Sequence, residues 1–170
     1  MNNRVSVIIL LQVFLGFSLY ATELQNQIGV WGGMRFPISS ADSNGIGYGI
    51  NGYYPLNQNL LVGASIGRIH YKSNASGLLS LNNINYSLLP VLVEAKYLIE
   101  NFYIGGGLGV AFATGEMSGY GASLSAIGGY AYPINESLSL DFGVRMYFIK
   151  DAKSEPYINL IPNIGINYYF

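Results

Sequence analysis

The chain ends Pro162-Asn163-Ile164-Gly165-Ile166-Asn167-Tyr168-Tyr169-Phe170. Counting back from Phe170 in twos collects Tyr168, Ile166, Ile164 and Pro162 on one face. The other face holds Tyr169, Asn167, Gly165 and Asn163. This period of two is that of an extended strand with one apolar side. A frayed, greasy terminus is a liability in a soluble domain. A strand that ends at a membrane interface needs no such shelter.

The same alternation recurs upstream. Leu138, Leu140, Phe142, Val144, Met146 and Phe148 share one face, with Ser139, Asp141, Gly143, Arg145 and Tyr147 on the other. Phe102, Ile104, Leu108, Val110 and Phe112 oppose Tyr103, Gly105, Gly107, Gly109 and Ala111. Ile28, Val30, Met34 and Phe36 oppose Gln27, Gly29, Trp31, Gly33 and Arg35. Clusters of Gly, Pro, Asn and Ser divide the chain into eight such stretches, near 27–36, 45–54, 60–71, 84–98, 102–113, 121–132, 138–149 and 157–170. Each is about as long as a tilted strand needs to be to cross a bilayer. The stretch at 60–71 is weakly patterned. Pro90 and Pro162 fall inside strands, where each predicts a bulge or a local break in pairing, and the face assignment beyond each stays open.

The connections alternate in length. Those at 55–59, 100–101 and 133–137 are short, and those at 37–44, 72–83, 114–120 and 151–156 are longer. Short periplasmic turns and longer outer loops are the habit of membrane barrels. Two short turns echo each other. Tyr54-Pro55-Leu56-Asn57-Gln58-Asn59-Leu60 matches Tyr132-Pro133-Ile134-Asn135-Glu136-Ser137-Leu138. The reading is an interfacial tyrosine, a proline that sets the turn and a leucine that restarts the lipid face.

Composition agrees. Charged residues are 10% of the chain, against roughly 25% for a soluble domain. There are 15 Tyr and 22 Gly, and the formal net charge is −1. No basic patch points to nucleic acid. The start, Met1-Asn2-Asn3-Arg4 followed by an apolar run over 5–15 and the small residues Gly16, Ser18 and Ala21, has the order of a cleavable signal peptide. Cleavage after Ala21 is expected, with Ser18 as the alternative. That leaves 1–21 as signal peptide and 22–170 as one barrel domain. With no Cys in the chain, disulfides and cysteine lipidation are excluded.

The face pattern sorts the charges. Arg35, Glu94, Lys96, Asp141 and Arg145 belong to the lumen side, as a polar network. A lipid-facing Arg or Lys at the midplane would cost roughly 2–4 kcal/mol. Arg68 falls in the weakly patterned strand and stays unassigned. Aromatic girdles are expected at both rims. The periplasmic girdle includes Tyr53, Tyr54, Tyr97, Phe102, Tyr130, Tyr132, Tyr168 and Phe170. The outer one includes Phe36, Tyr71, Phe112 and Phe148.

Taken with the strand count and loop alternation, the tail resembles the carboxy-terminal sorting signal of bacterial outer-membrane barrels, carried by Ile164, Ile166, Tyr168 and Phe170. The chain is similar to the small eight-stranded barrels of the OmpA transmembrane-domain and OmpX-like group. The resemblance implies an all-β, antiparallel, up-and-down transmembrane β-barrel in the outer membrane of a Gram-negative bacterium, with both ends in the periplasm. It also implies contacts with outer-membrane lipid and lipopolysaccharide, with the barrel assembly machinery and with periplasmic chaperones.

Little chemistry is written in the residues. One His and no Cys disfavour a transition-metal site, and no cofactor is expected. His70 is the sole candidate base, in His70-Tyr71-Lys72-Ser73. Lipid A deacylase barrels carry a His-x-Ser pattern, and Lys72 stands where that Ser would be, so His70 reads as an interfacial side chain. Gly105-Gly106-Gly107-Leu108-Gly109 lies in an alternating strand with no helix after it, so it is no nucleotide loop. Its glycines read as room for large lumen residues such as Tyr147, Arg145 or Trp31. Eight strands leave an interior that side chains can fill, so a packed lumen is favoured over an open pore. The long loop 72–83 carries Leu78, Leu79 and Leu81, an apolar tip suited to a surface ligand. The expected function is therefore a non-enzymatic structural or surface-contact barrel. A narrow porin-like channel is the alternative, and a lipid-modifying enzyme the third reading.

Overall fold

The computed structural model describes residues 25–38, 44–72, 85–115, 119–151 and 157–170. Eight strands run in order: β1 (Gln27–Pro37), β2 (Gly45–Pro55), β3 (Leu60–Lys72), β4 (Asn85–Ile99), β5 (Phe102–Gly115), β6 (Gly119–Asn135), β7 (Leu138–Asp151) and β8 (Tyr157–Tyr169). Each pairs antiparallel with its neighbour in sequence, and β1 pairs antiparallel with β8, so the sheet closes on itself. Closure pairs both edges of every strand, the condition for backbone in hydrocarbon. The apolar chain end is part of that closure: Asn26 N donates to Phe170 O at 2.8 Å and Phe170 N to Asn26 O at 3.0 Å.

The two faces separate as the alternation requires. Exposed large apolar side chains, among them Val30, Val93, Ile104, Leu108 and Ile166, cover the outside. On the inside lie residues almost wholly withdrawn from solvent, such as Trp31, Leu92, Tyr147 and Ile161. No helix among the described residues is long and apolar enough to span a membrane.

The two prolines break pairing without a bulge. The β3–β4 ladder passes from Ile66↔Val91 to Ile69↔Leu88 across Pro90, and β1–β8 passes from Gly33↔Asn163 to Phe36↔Leu160 across Pro162. Two residues are skipped on each partner, so the register is kept and the faces do not flip. Pro90 points inward and is buried, whereas Pro162 is exposed on the outer face. The register shift that does occur lies between Pro133 and Asn135, at the end of β6 that shares its rim with the chain termini. There β6 runs on into the expected turn at 133–137, ending at Asn135.

In the echoed turns the asparagine does the capping. Asn57 Oδ1 accepts from Asn59 N and Leu60 N, both at 2.9 Å, and Asn135 Oδ1 accepts from Ser137 N at 2.9 Å. These are the side-chain turns that Asn forms readily. The signal peptide expected at 1–21 and the loop tip Leu78, Leu79 and Leu81 lie outside the described residues.

Candidate functional site

The lumen is built in two tiers. Toward the end of the barrel that holds the chain termini lies a polar tier. Arg145 Nη1 sits 3.1 Å from Glu94 Oε1, with both side chains buried. Glu94 also accepts from Tyr53 OH at 2.5 Å and Ser125 Oγ at 3.3 Å. Tyr103 OH donates to Asp141 Oδ1 at 2.6 Å, and Asn167 Nδ2 donates to Asp141 Oδ2 at 3.2 Å. The Lys96 ammonium lies 4.3 Å from the Tyr53 ring centroid and 4.4 Å from that of Tyr103, a cation held between two aromatic faces. Two acids and two bases thus meet in one water-poor space, where the hydrogen bonds of tyrosine, serine and asparagine occupy the remaining carboxylate lone pairs.

Above it lies an apolar tier. Trp31, Ile69, Tyr71, Leu88, Leu92, Ala111, Tyr147, Ile149 and Ile161 form one buried cluster. Trp31 and Tyr147 stack at 6.4 Å between centroids. The space for Trp31 comes from glycines: a Cβ at Gly49 or Gly67 would stand 2.9 or 3.0 Å from Trp31 Cζ2. The expectation that Gly105, Gly107 and Gly109 make this room is corrected. A Cβ at Gly107 would meet the Glu94 side chain at 2.6 Å, one at Gly105 would meet Ile127 at 3.1 Å, and one at Gly109 would meet the β4 backbone.

Of the five charged residues assigned to the lumen by pattern, four converge: Glu94, Lys96, Asp141 and Arg145. Arg35 is buried too, but apart from them. Its Nε donates to Asn159 Oδ1 at 2.6 Å, and its guanidinium lies 3.7 Å from the Tyr71 ring centroid, at the outer end of the apolar tier. Tyr53 and Tyr71, expected in the girdles, turn inward and are buried. Both sit at odd positions, on the same face of their strands as Asn51 and Ile69, so strict counting along β2 and β3 would have placed them inside. Ile164, Ile166, Tyr168 and Phe170 all face outward and are exposed.

The outer face carries Arg68, which pattern reading left unassigned, beside the interfacial His70. On β3 the odd positions face in, which places Arg68 and His70 outside. Arg68 is paired with Tyr48 of β2, and His70 with Ser87 of β4. His70 Nε2 is 3.3 Å from Tyr48 OH, and His70 Nδ1 is 3.0 Å from Ser87 Oγ. Thr114 Oγ1 of β5 donates to the Ser87 carbonyl at 3.3 Å. Among the described residues the serine that meets His70 is Ser87, across the strand pair, and Ser73 lies outside the described residues. No carboxylate among the described residues bonds to His70, so the Ser–His contact lacks the acid that would orient it for catalysis. No group of three or more metal-binding side chains occurs among the described residues.

No protein-family model matches the chain. No curated protein sequence matches it. Solved structures do. The chain is similar to Neisserial surface protein A, at TM-score 0.61 and 17% identity over 86% of this chain and 97% of that one. It is similar to Ail, the attachment invasion locus protein of Yersinia pestis, at 0.58 and 17% over 88% and 100%. It is similar to the outer membrane protein OprG of Pseudomonas aeruginosa, at 0.55 and 16% over 86% and 97%. At such identities the likeness is one of architecture. The closed antiparallel sheet of eight strands with its apolar exterior is the fold of the small outer-membrane β-barrels.

Proposed function

We propose that the chain is an integral outer-membrane protein of a Gram-negative bacterium. It acts without catalysis, as a structural or surface-contact element of the cell envelope. The observation that carries this reading is the filled lumen inside an apolar belt. The exterior is suited to lipid, while the interior stacks an apolar plug on a paired polar tier. In this reading both chain ends face the periplasm. The apolar face of β8 serves the barrel assembly machinery and periplasmic chaperones during insertion, and the loop at 72–83 is the contact surface for an outside ligand.

The same geometry weighs against the channel reading, because an ion crossing the barrel would have to part the Trp31–Tyr147 stack. The test is conductance of the folded protein in a planar lipid bilayer. A silent membrane, with insertion verified by heat-modifiable migration on a gel, is the expected result. Reproducible single-channel steps would replace the structural reading with that of a narrow channel for ions or small solutes.

A further inference from the structure

We propose that Arg68, assisted by His70 and Tyr48, binds the phosphate of a lipid in the outer leaflet, at the rim of the membrane face over β2–β5. The proposal rests on the outer-membrane reading above.

The first argument is the position of Arg68. It is exposed, next to the outward-facing Ile66, and makes no hydrogen bond or ion pair with a described residue. It stands four residues before the outer end of β3 at Lys72. A guanidinium on the lipid face costs roughly 2–4 kcal/mol at midplane but about 0–1 kcal/mol near the interface, where its stem lies along apolar surface and its head reaches the polar layer.

The second argument is the sign of the charge. Among the described residues, the outward strand positions carry Arg68 and Lys150, both near the outer ends of their strands, and no carboxylate. The acids Glu100 and Glu136 sit in turns at the opposite end. A lipid-facing cation with no carboxylate on the described outward strand positions complements a phosphorylated lipid, and Arg grips phosphate with a planar fork of donors.

The third argument is the row Tyr48–His70–Ser87–Thr114 across four strands. Such a row belongs at headgroup level, since hydrocarbon offers polar groups no partners. With Ser87 donating to His70 Nδ1, the Nε2–H donates to the Tyr48 oxygen. The Tyr48 O–H is then free to donate to a ligand oxygen beside Arg68. Ser87 and His70 thereby act as positioning residues.

The experiment is native mass spectrometry of the protein expressed as the full chain and extracted from outer membranes in mild detergent. The probes are phosphorylated lipid A, the same lipid A after phosphatase treatment, and phosphatidylethanolamine. The phosphorylated form is expected to bind about tenfold more tightly than the dephosphorylated form. Arg68→Gln should abolish that preference, Arg68→Lys should keep part of it, and Tyr48→Phe should weaken it. Three results would overturn the proposal: no phosphate preference in the wild type, an unchanged preference in Arg68→Gln, or displacement by inorganic phosphate as effective as by the lipid. Should Arg68→Gln not give a heat-modifiable folded barrel, Tyr48→Phe and His70→Gln carry the test, and an unchanged preference in both overturns the site. Absence of the wild-type chain from the outer-membrane fraction would instead overturn the reading beneath it.

Discussion

Arg145 joins the two tiers of the lumen to one another: its Nη1 is 3.1 Å from Glu94 Oε1, and its guanidinium carbon is 4.8 Å from the Trp31 ring centroid. Glu94 is the sole carboxylate that bonds Arg145 among the described residues, so removing its charge leaves a buried cation uncompensated. Loss of one partner from a buried pair costs about 3–5 kcal/mol, whereas replacing both by apolar groups is often neutral. Glu94→Gln should therefore destabilise the barrel by about 3 kcal/mol in urea unfolding from lipid vesicles. Adding Arg145→Met should restore most of that loss. A double variant as unstable as the single one would show that the pair is not an isolated unit.

Trp31 fills the lumen where Gly49 and Gly67 leave the wall thin. Truncating it opens a void that the closed sheet cannot collapse around. Trp31→Ala should cost about 3–5 kcal/mol. The double variant Trp31→Ala/Tyr147→Ala should also let small ions leak where the wild type is silent, as read in planar bilayers. A double variant that folds and stays silent would mean that the polar tier alone seals the barrel.

Leu108 is 66% exposed at the middle of β5, and Tyr120 is 74% exposed at the outer end of β6. Depth decides what a charge costs on the lipid face. Leu108→Arg should destabilise by about 2–4 kcal/mol and Tyr120→Arg by about 0–1 kcal/mol, measured by the same urea titration. Equal costs would mean that the two positions lie at similar depth. Gly109→Ser, on the lumen side of the same strand, is not the mild change that its small size suggests. A Cβ there meets Val91 O and comes within 2.9 Å of Leu92 Cα, both backbone atoms of β4.

Much of this was legible because a membrane barrel obeys one rule along its whole length. The parity of Ile28, Phe142 or Leu108 names the face directly, since lipid on one side and a narrow lumen on the other tolerate few exceptions. The rule failed where chemistry was allowed to override counting. Tyr53 and Tyr71 were assigned to girdles because tyrosine favours interfaces, yet both sit on inward parity and serve as ring partners for Lys96 and Arg35. Arg68 was illegible for the opposite reason. Gly63, Ala64 and Gly67 blur the alternation of β3, so the apolar residues Leu60, Val62 and Ile66 on the same parity did not by themselves fix the face of a charged residue. Partnering across strands, such as His70 with Ser87, depends on register, and local sequence does not supply it.

The turn between β4 and β5 offers a gain in stability. Glu100 adopts φ of 56°, the one non-glycine residue with positive φ among the described residues. It occupies the first position of a two-residue connection, Glu100-Asn101, between strands in continuous register from Ile99↔Phe102. Such short hairpins require a left-handed residue, and a side chain there costs roughly 1–2 kcal/mol. Glycine removes that cost but loses more backbone entropy on folding, so the two effects partly cancel. Glu100→Gly should therefore stabilise the barrel by about 0.5–1 kcal/mol, with an unchanged m-value in urea. Glu100→Val, β-branched at the same φ, should destabilise it. A glycine variant less stable than the wild type would mean that the Glu100 side chain makes a compensating contact at this end of the barrel that outweighs its backbone strain.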